Sequence, residues 1–240
     1  MRRSLSLLDE VIKHVDVGLK TVTGSLPANP RFSYPADSSD EALSRADKIR
    51  SSQLMRINHC GEVCAQGLYH GQSSTARSKE TRKHLAAAAE DERKHLIWCQ
   101  TRLQELDSHT SFLNPIWYAA SWMTGAVTGL FGDKISLGFI AATEEEVCQH
   151  LDRHLDELPS ADDRSRAIID AMKADEAHHQ QDAISQGGTE FPAAIKRAMA
   201  LQAKVMTETT RWVLGSVSSV TPLPCKNSAH RITSSGSLKK

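Results

Sequence analysis

The 240-residue sequence predicts an all-α protein built around a four-helix bundle, with further amphipathic and apolar helices outside it. Three observations predict this fold class. Apolar residues recur every three or four positions over long segments, which is the period of one face of a helix. Short breaks rich in Gly, Pro and Ser separate these segments, as between the helices of a bundle. Sustained alternation of apolar and polar residues is scarce, which argues against a sheet.

The predicted elements follow one another with short interruptions. A short amphipathic helix over residues 5–20 and a Pro-rich linker form the predicted N-terminal segment, residues 1–42. The predicted bundle region, residues 43–215, contains the helical segments 43–73, 79–106, 116–130, 134–158, 161–185 and 191–214. Residues 216–240 are Ser-rich and basic, so they are predicted to form a disordered tail.

The overall composition excludes some classes of function. The 29 Lys and Arg residues balance 29 Asp and Glu residues, so there is no general electrostatic reason to expect a nucleic-acid partner. The five cysteines are odd in number and lack disulfide or zinc-site spacing, which predicts reduced thiols in a cytoplasmic or cytoplasm-facing protein. No secretory signal and no uncharged apolar stretch of roughly 18 residues occurs, so a membrane-spanning helix is not expected.

Four of the predicted helices carry acidic or imidazole side chains in the middle of an apolar stripe. On the helix 79–106, Glu92 and His95 lie on the same face as Leu85 and Leu103. A carboxylate in a core is costly unless a cation accompanies it. Several such groups pointing into one core need a common partner, and metal ions are the simplest candidate.

The spacing of these residues repeats. Glu92 follows Glu62 by 30 residues, and a second pair of glutamates is separated by 32 residues. The second Glu of each pair is followed three residues later by His, so both side chains can reach one metal ion. Two helices with a lone Glu and two with Glu-x-x-His provide the ligand set of ferritin-like di-iron carboxylate bundles, and they indicate a duplicated helical hairpin. The predicted metal ligands are Glu62, Glu92, His95, Glu144, Glu176 and His179.

Helical phase selects among neighbouring charged residues. Of three adjacent glutamates only Glu144 continues the apolar stripe of its helix, so Glu145 and Glu146 are predicted to point outward or to a flank. Asp91 is off the stripe that carries the ligands of its helix. His178 is out of phase by one residue, which predicts an exposed position or one beside the ligands. The alternative for the whole set is four amphipathic helices whose charged faces are simply solvated.

Other residues near the stripes have weaker signals. His59 and His150 are candidates to hydrogen-bond the metal ligands and fix their orientation, although each can equally be an ordinary, partly buried histidine. Tyr69 is predicted to be a core aromatic, and a side chain that reaches the site is the alternative. Cys99 and Cys148 follow ligand positions by four residues and are predicted to be small core side chains.

The segment Phe112–Phe131 is apolar on all sides. It is too short and too rich in Gly to span a bilayer, and Trp117, Tyr118 and Trp122 are suited to a lipid headgroup interface. Docking on a membrane is the favoured interpretation. A buried core helix is the alternative.

Four motifs together resemble the demethoxyubiquinone hydroxylase family of ubiquinone biosynthesis, over roughly residues 45–213. They lie in 56–62 (RINHCGE), 92–95 (ERKH), 142–145 (ATEE) and 175–179 (DEAHH). The resemblance implies an O₂-dependent di-iron monooxygenase that hydroxylates the ring of a polyprenyl-methoxy-methyl-benzoquinol. It further implies that the six predicted ligands hold two iron ions, with Glu92 and Glu176 bridging and with Glu62 and Glu144 terminal.

The resemblance also implies a setting. The polyprenyl quinol substrate lies in a bilayer, so we expect a peripheral protein on the cytoplasmic face of the bacterial inner membrane. Electrons are expected from NADH or from the quinol, and the sequence contains no Rossmann fingerprint for tight nicotinamide binding. Other ubiquinone-biosynthesis proteins or a second copy of the chain are expected partners, and nucleic acid is not.

Three other functions fit parts of the sequence. Another di-iron oxidase or a rubrerythrin-like peroxidase has the same ligand set but leaves the apolar segment unexplained. Iron storage requires a soluble shell, which the segment 116–130 disfavours. A metal-free helical membrane adaptor leaves the repeated ligand set unexplained.

Overall fold

The computed structural model describes residues 7–24, 33–35 and 43–217, and every regular element within these residues is a helix. The helices are α1 (Leu7–Thr23), α2 (Arg45–Thr75), α3 (Lys79–Glu105), α4 (Asn114–Leu130), α5 (Asp133–Glu157), α6 (Asp163–Ser185) and α7 (Ala193–Val217). The predicted all-α, ferritin-like class is confirmed. Each helix begins and ends within three residues of its predicted bounds.

Local sequence signals explain these bounds. Ser44, Ser78 and Asp162 cap the starts of α2, α3 and α6, where each side chain accepts a hydrogen bond from the backbone N–H three residues ahead. Gly132 and Gly187 adopt φ values of 110° and 90°, in the region that favours glycine, and so allow the turns after α4 and α6. Helix ends are therefore encoded locally.

Two helical hairpins form the bundle. Helix α2 packs beside α3, and α5 packs beside α6. One apolar cluster, which includes Leu54, Leu103 and Ile169, fills the core on one side of the bundle's midpoint. A second cluster, which includes Leu85 and Leu137, fills the core on the other side. The predicted metal ligands lie between these two clusters along each helix, so each half of the core supports them.

Helix α4 packs unusually close to α2. A Cβ atom added at Gly71 would overlap the carbonyl oxygen of Trp122, and one added at Gly125 would overlap the carbonyl oxygen of Leu68. Gly61, also on α2, has no atom within 4 Å of such a Cβ. Small residues let two helix backbones approach each other closely. The close crossing therefore depends on a few glycines of the two helices.

The opposite face of α4 is exposed and apolar. Ile116 is 64% exposed, Val127 is 52% exposed and Leu130 is 63% exposed. Helix α1 packs against α2 and α4, and it exposes Ile12 and Leu19. Among the residues that the structure describes, none of the helices has the length and apolar character needed to cross a bilayer. The segment 112–131 is thus partly packed on the bundle and partly open.

A buried ion pair joins α3 to the start of α6. The Nη2 atom of Arg102 lies 2.7 Å from Oδ1 of Asp162, and Nε of Arg102 donates a hydrogen bond of 2.9 Å to Ser165 Oγ. Both members of the pair are almost fully buried. Tyr34, from the predicted linker, donates its hydroxyl to Glu105 on α3 at 3.2 Å. These contacts hold one end of the bundle together.

The predicted division of the chain stays a prediction. Much of the predicted N-terminal segment and residues 218–240 of the predicted tail lie outside the described residues. Residues 216 and 217 belong to α7.

Candidate metal centre

The six predicted ligands point into the core from four helices. None of them is more than 6% exposed. Glu145, by contrast, lies 2.6 Å from Lys196 Nζ, and Glu146 lies 3.2 Å from Arg153. Of the three adjacent glutamates, Glu144 is the buried one, whereas its role as a ligand stays a prediction. The contributions are Glu62 from α2, Glu92 and His95 from α3, Glu144 from α5, and Glu176 and His179 from α6.

Two glutamates each face both histidines. The two carboxylate oxygens of Glu92 lie 3.2 Å from Nδ1 of His95 and 3.0 Å from Nδ1 of His179. The two oxygens of Glu176 lie 3.0 Å and 3.2 Å from the same two nitrogen atoms. Each of these two carboxylates directs one oxygen atom to each imidazole. A carboxylate that bridges two metal ions needs the same arrangement.

The two remaining glutamates differ in their surroundings. Oε2 of Glu62 lies 3.6 Å from Nδ1 of His95. Glu62, His95 and the two bridging candidates offer ligand atoms that all lie within 4.8 Å of one another. Glu144 instead accepts a hydrogen bond of 2.7 Å from the hydroxyl of Tyr69.

Tyr69 therefore contacts a predicted ligand as well as the core. It is fully buried, as expected of a core aromatic, but its hydroxyl binds a predicted metal ligand on another helix. The prediction of a core aromatic is confirmed, and the hydroxyl also makes a contact of the kind that the alternative for this residue described. Helical periodicity shows which face of α2 carries the ring, whereas the partner of the hydroxyl depends on how α5 packs against that face.

Burial and pairing set the charges of the cluster. Burial raises the pKa of both Glu62 and Glu144 well above its usual range. Burial would also raise the pKa of Glu92, but the two imidazoles outweigh it and lower that pKa. Desolvation opposes charge on His179, yet Glu176 and Glu92 raise its pKa to about 11. The imidazoles thus carry protons that compensate the acids, and metal cations can replace this positive charge.

The donor set fits iron. The ligand atoms are carboxylate oxygens and imidazole nitrogens, which suit iron and similar divalent metals, and no thiolate is among them. Oε2 of Glu62 is buried without a hydrogen-bond partner. Such an atom is costly unless a cation is bound beside it. The cluster can therefore hold metal.

The far nitrogen of each histidine faces an aspartate. Nε2 of His95 lies 2.9 Å from Oδ2 of Asp175, and the same oxygen lies 2.8 Å from Nζ of Lys94. Nε2 of His179 lies 3.5 Å from Oδ2 of Asp91. Aspartates in this position fix the tautomer and orientation of a metal-binding histidine. The sequence contains a signal that was missed, because Asp-Glu-x-x-His occurs twice.

His59 and His150 make no such contact with the six ligands among the described residues. Nδ1 of His59 lies 3.4 Å from Nδ2 of Asn114 at the start of α4. The ring of His150 lies 4.0 Å from the ring of His154, whose Nδ1 is 2.6 Å from Oδ1 of Asn58. The geometry lends no support to the predicted role of either histidine. His178 has a mostly exposed side chain, as its phase suggests.

A cavity of about 480 Å³ reaches the predicted ligands. It is lined by four of the glutamates and extends between α5 and α7, where Arg153, Lys204 and Arg211 form part of its wall. A smaller cavity of about 150 Å³ lies between α2, α4, α5 and α7 and has a mostly apolar wall. The two cavities share wall residues, among them Ala65, Val147 and Met206. An apolar space therefore adjoins the acidic cluster.

Known proteins resemble this chain over most of its length. The profile of the family described as ubiquinone biosynthesis protein COQ7 matches residues 50–210. A 3-demethoxyubiquinol 3-hydroxylase from Chromohalobacter salexigens is 50% identical over 208 residues, 87% of this chain and 98% of that protein. A protein of the same name from Nitrosococcus oceani is 48% identical over 88% of this chain and 99% of its own length. One from Pseudomonas syringae is 46% identical over 87% of this chain and 97% of its own length.

Proposed function

The chain belongs to the COQ7 family of ubiquinone biosynthesis proteins, and on this premise we propose that its buried cluster is a di-iron centre for ring hydroxylation. It is an enzyme, an oxidoreductase that hydroxylates a demethoxyubiquinol in ubiquinone biosynthesis. The observation that carries the metal assignment is the pair of glutamates that each face both histidines. The alternatives of a peroxidase or an iron store have no comparable support.

Each iron ion has its own set of side chains in this proposal. Glu62 and His95 would hold one ion, Glu144 and His179 would hold the other, and both ions would share Glu92 and Glu176. The ligand count and chemistry are those of other di-iron carboxylate bundles. When bound, the iron pair supplies the redox chemistry with O₂ as co-substrate. The protein contributes the fixed positions of the carboxylates and a core that excludes water around them.

The two adjoining cavities suit an amphipathic substrate. We propose that the quinol ring lies in the larger cavity, beside Glu62 and Glu144, and that the first part of the polyprenyl chain lies in the smaller one. The apolar wall of the smaller cavity, with Leu68, Trp117 and Phe139, supports this orientation. Burial of each methylene group of a prenyl chain is favourable by about 0.8 kcal/mol.

The substrate also implies a place of action. We propose that the protein works at a membrane surface, on the cytoplasmic face of the bacterial inner membrane, where the exposed apolar face of α4 contacts lipid. NADH and the quinol itself remain the two candidate electron donors. Other ubiquinone-biosynthesis proteins or a second copy of the chain are further candidate partners.

Lipid analysis in cells tests the reaction. In a ubiquinone-producing host that lacks its own hydroxylase, the chain should restore ubiquinone and remove the demethoxy intermediate. An unchanged lipid profile with a stably expressed chain would contradict the assigned reaction. After anaerobic reconstitution, metal analysis should find about two iron ions per chain. A value below about one would exclude the di-iron centre. The lipid analysis would still test the reaction independently of the metal content.

A further inference from the structure

We propose that the two metal positions differ in affinity. The ligands at the position of Glu62 and His95 are already in place, so this position binds metal first. At the second position, the hydrogen bond from Tyr69 to Glu144 competes with metal binding. This inference rests on the proposed di-iron function and concerns the order in which the centre is assembled. The two hairpins have similar ligand motifs, so the sequence predicts two equivalent positions. Three features of the structure make the two positions different.

The ligands of the first position are already close together. Glu62, Glu92, His95 and Glu176 offer atoms that all lie within 4.8 Å of one another. A cation can therefore bind there with small side-chain movements and little loss of conformational entropy. Glu144 and His179 are not part of this group of four, although both are buried.

A contact at Nε2, the ring nitrogen that faces away from the ligand cluster, fixes the orientation of His95. Asp175 accepts from its Nε2 at 2.9 Å, and Lys94 holds the same aspartate at 2.8 Å. With Nε2 bonded in this way, Nδ1 is left to face the carboxylates. The corresponding contact on the other side, between Asp91 and His179, is 3.5 Å long, and the side chain of Asp91 is 52% exposed. His95 is therefore the better oriented of the two histidines.

The hydroxyl of Tyr69 competes for a ligand of the second position. It lies 2.7 Å from Oε1 of Glu144, and both residues are buried away from water. A metal ion that binds Oε1 must displace this hydrogen bond and leave the buried hydroxyl of Tyr69 without its partner, which is unfavourable. The bond therefore stabilises the metal-free form. The first position carries no comparable competitor, because Oε2 of Glu62 is buried without a hydrogen-bond partner.

Anaerobic titration of the full-length, metal-free protein with Fe²⁺, against a chromogenic chelator, tests the order of binding. The unaltered protein should show two steps that differ by about tenfold or more in affinity. Glu62→Gln should abolish the tighter step, and Glu144→Gln should abolish the weaker one. Circular dichroism and the melting temperature of each variant establish that it is folded.

Two positioning variants identify the cause. Asp175→Asn should weaken the tighter step by about tenfold or more, since loss of such a partner costs about 10–100-fold in metal affinity. Tyr69→Phe should strengthen the weaker step by about tenfold, because the metal no longer competes with the hydroxyl. Glu145→Gln is the control and should change either step by less than about threefold, because Glu145 pairs with Lys196 at the partly exposed surface and lies outside the cluster.

Three results would overturn the proposal. Equal affinities for both ions in the unaltered protein would remove the inequality. Loss of the tighter step in Glu144→Gln instead of Glu62→Gln would reverse the order. Weaker binding in the second step of Tyr69→Phe would mean that the hydroxyl orients Glu144 for the metal instead of competing with the metal. Failure of the folded, unaltered protein to bind any Fe²⁺ would contradict the proposed di-iron function itself.

Discussion

At the scale of single residues, burial decides which of several adjacent acids belongs to the site. Glu144 lies in the core, where burial raises its pKa, while Glu145 is half-exposed and pairs with Lys196. Replacement of a buried ligand leaves the rest of the cluster incomplete, whereas loss of an exposed ion pair costs about 0–1 kcal/mol. Neighbouring residues of identical type therefore have different importance.

We predict that Glu144→Ala abolishes hydroxylation, because one iron ion loses a terminal carboxylate. Glu145→Ala should retain most of the activity, since it loses only the exposed pair with Lys196. Restoration of ubiquinone in the hydroxylase-deficient host, together with iron content of the purified variants, checks both. Full activity of Glu144→Ala beside an inactive Glu145→Ala would contradict the assignment.

Helical phase was sufficient to predict all six buried side chains, because one sequence period defines one face of a helix. The same reasoning could not identify Tyr69 or Asp175 as parts of the site. Their partners, Glu144 and His95, lie on other helices, and the distance between helices is not encoded in the period of either one.

At the scale of elements, the crossing of α2 and α4 leaves no room for added atoms. We predict that Gly71→Ala destabilises the protein by about 1–3 kcal/mol, the usual cost of overpacking, despite the better helix propensity of alanine. The reason is the overlap of the new Cβ with the carbonyl oxygen of Trp122. Chemical denaturation measures the change.

Gly61→Ala is the matched control for this prediction. It lies on the same helix, has no atom within 4 Å of an added Cβ, and should therefore be neutral or stabilising by up to about 1 kcal/mol. Equal loss of stability in the two variants would mean that helix backbone effects, and not the close crossing, determine the result.

The buried pair of Arg102 and Asp162 makes a second element-scale prediction. Asp162→Ala should destabilise the fold by about 3 kcal/mol or more, since it leaves a buried guanidinium without its main partner. Burial would raise the pKa of Asp162, but the hydrogen bond from the backbone N–H of Ser165 and the charge of Arg102 lower it overall. A lowered pKa contributes stability above the unfolded value of 3.8, and this contribution is lost as the pH falls through the folded value.

Denaturation at neutral and at acidic pH measures this effect. The difference in stability between the unaltered protein and Asp162→Ala should be largest near neutral pH and should shrink on acidification. A difference that stays constant down to the lowest pH at which both proteins fold would show that charge on Asp162 is not its source.

At the scale of the whole molecule, metal and fold are linked. The ligands come from α2, α3, α5 and α6, so bound iron joins both hairpins. We predict that loading with Fe²⁺ raises the melting temperature, because a ligand that binds only the native state stabilises it by about 2.7 kcal/mol at a hundredfold excess over its Kd. Calorimetry of metal-free and loaded protein measures this, and an unchanged midpoint at saturating iron would contradict the link.

The proposed docking on a membrane is also tested at the scale of the whole molecule. The double variant Ile116→Gln, Val127→Gln should bind anionic phospholipid vesicles at least about tenfold more weakly, since each buried aliphatic side chain contributes about 1.5–3 kcal/mol. Ile184→Gln on α6 is the control, because Ile184 is also exposed but lies on another helix. Co-sedimentation measures binding, and equal losses in both proteins would exclude α4 as the specific contact.

The helix order of the whole chain was predictable, because caps and breaks are local signals such as Ser44 and Gly187. The position of α4 was not. An apolar segment fits both a core and a lipid surface by composition, and only the glycines that meet α2 show that one side of it is covered by protein.

The crossing at Gly71 and Gly125 has a mechanical consequence. The two backbones are in direct contact there, so a change of side-chain rotamer cannot absorb a displacement of α4. Helix α2 also carries Glu62 and Tyr69, so we expect a displacement of α4 to be passed on to these two side chains. If α4 docks on a bilayer as proposed, its depth in the lipid would set the height of Glu62 and Tyr69 above the lipid tails, and with it the level at which a quinol ring can reach them.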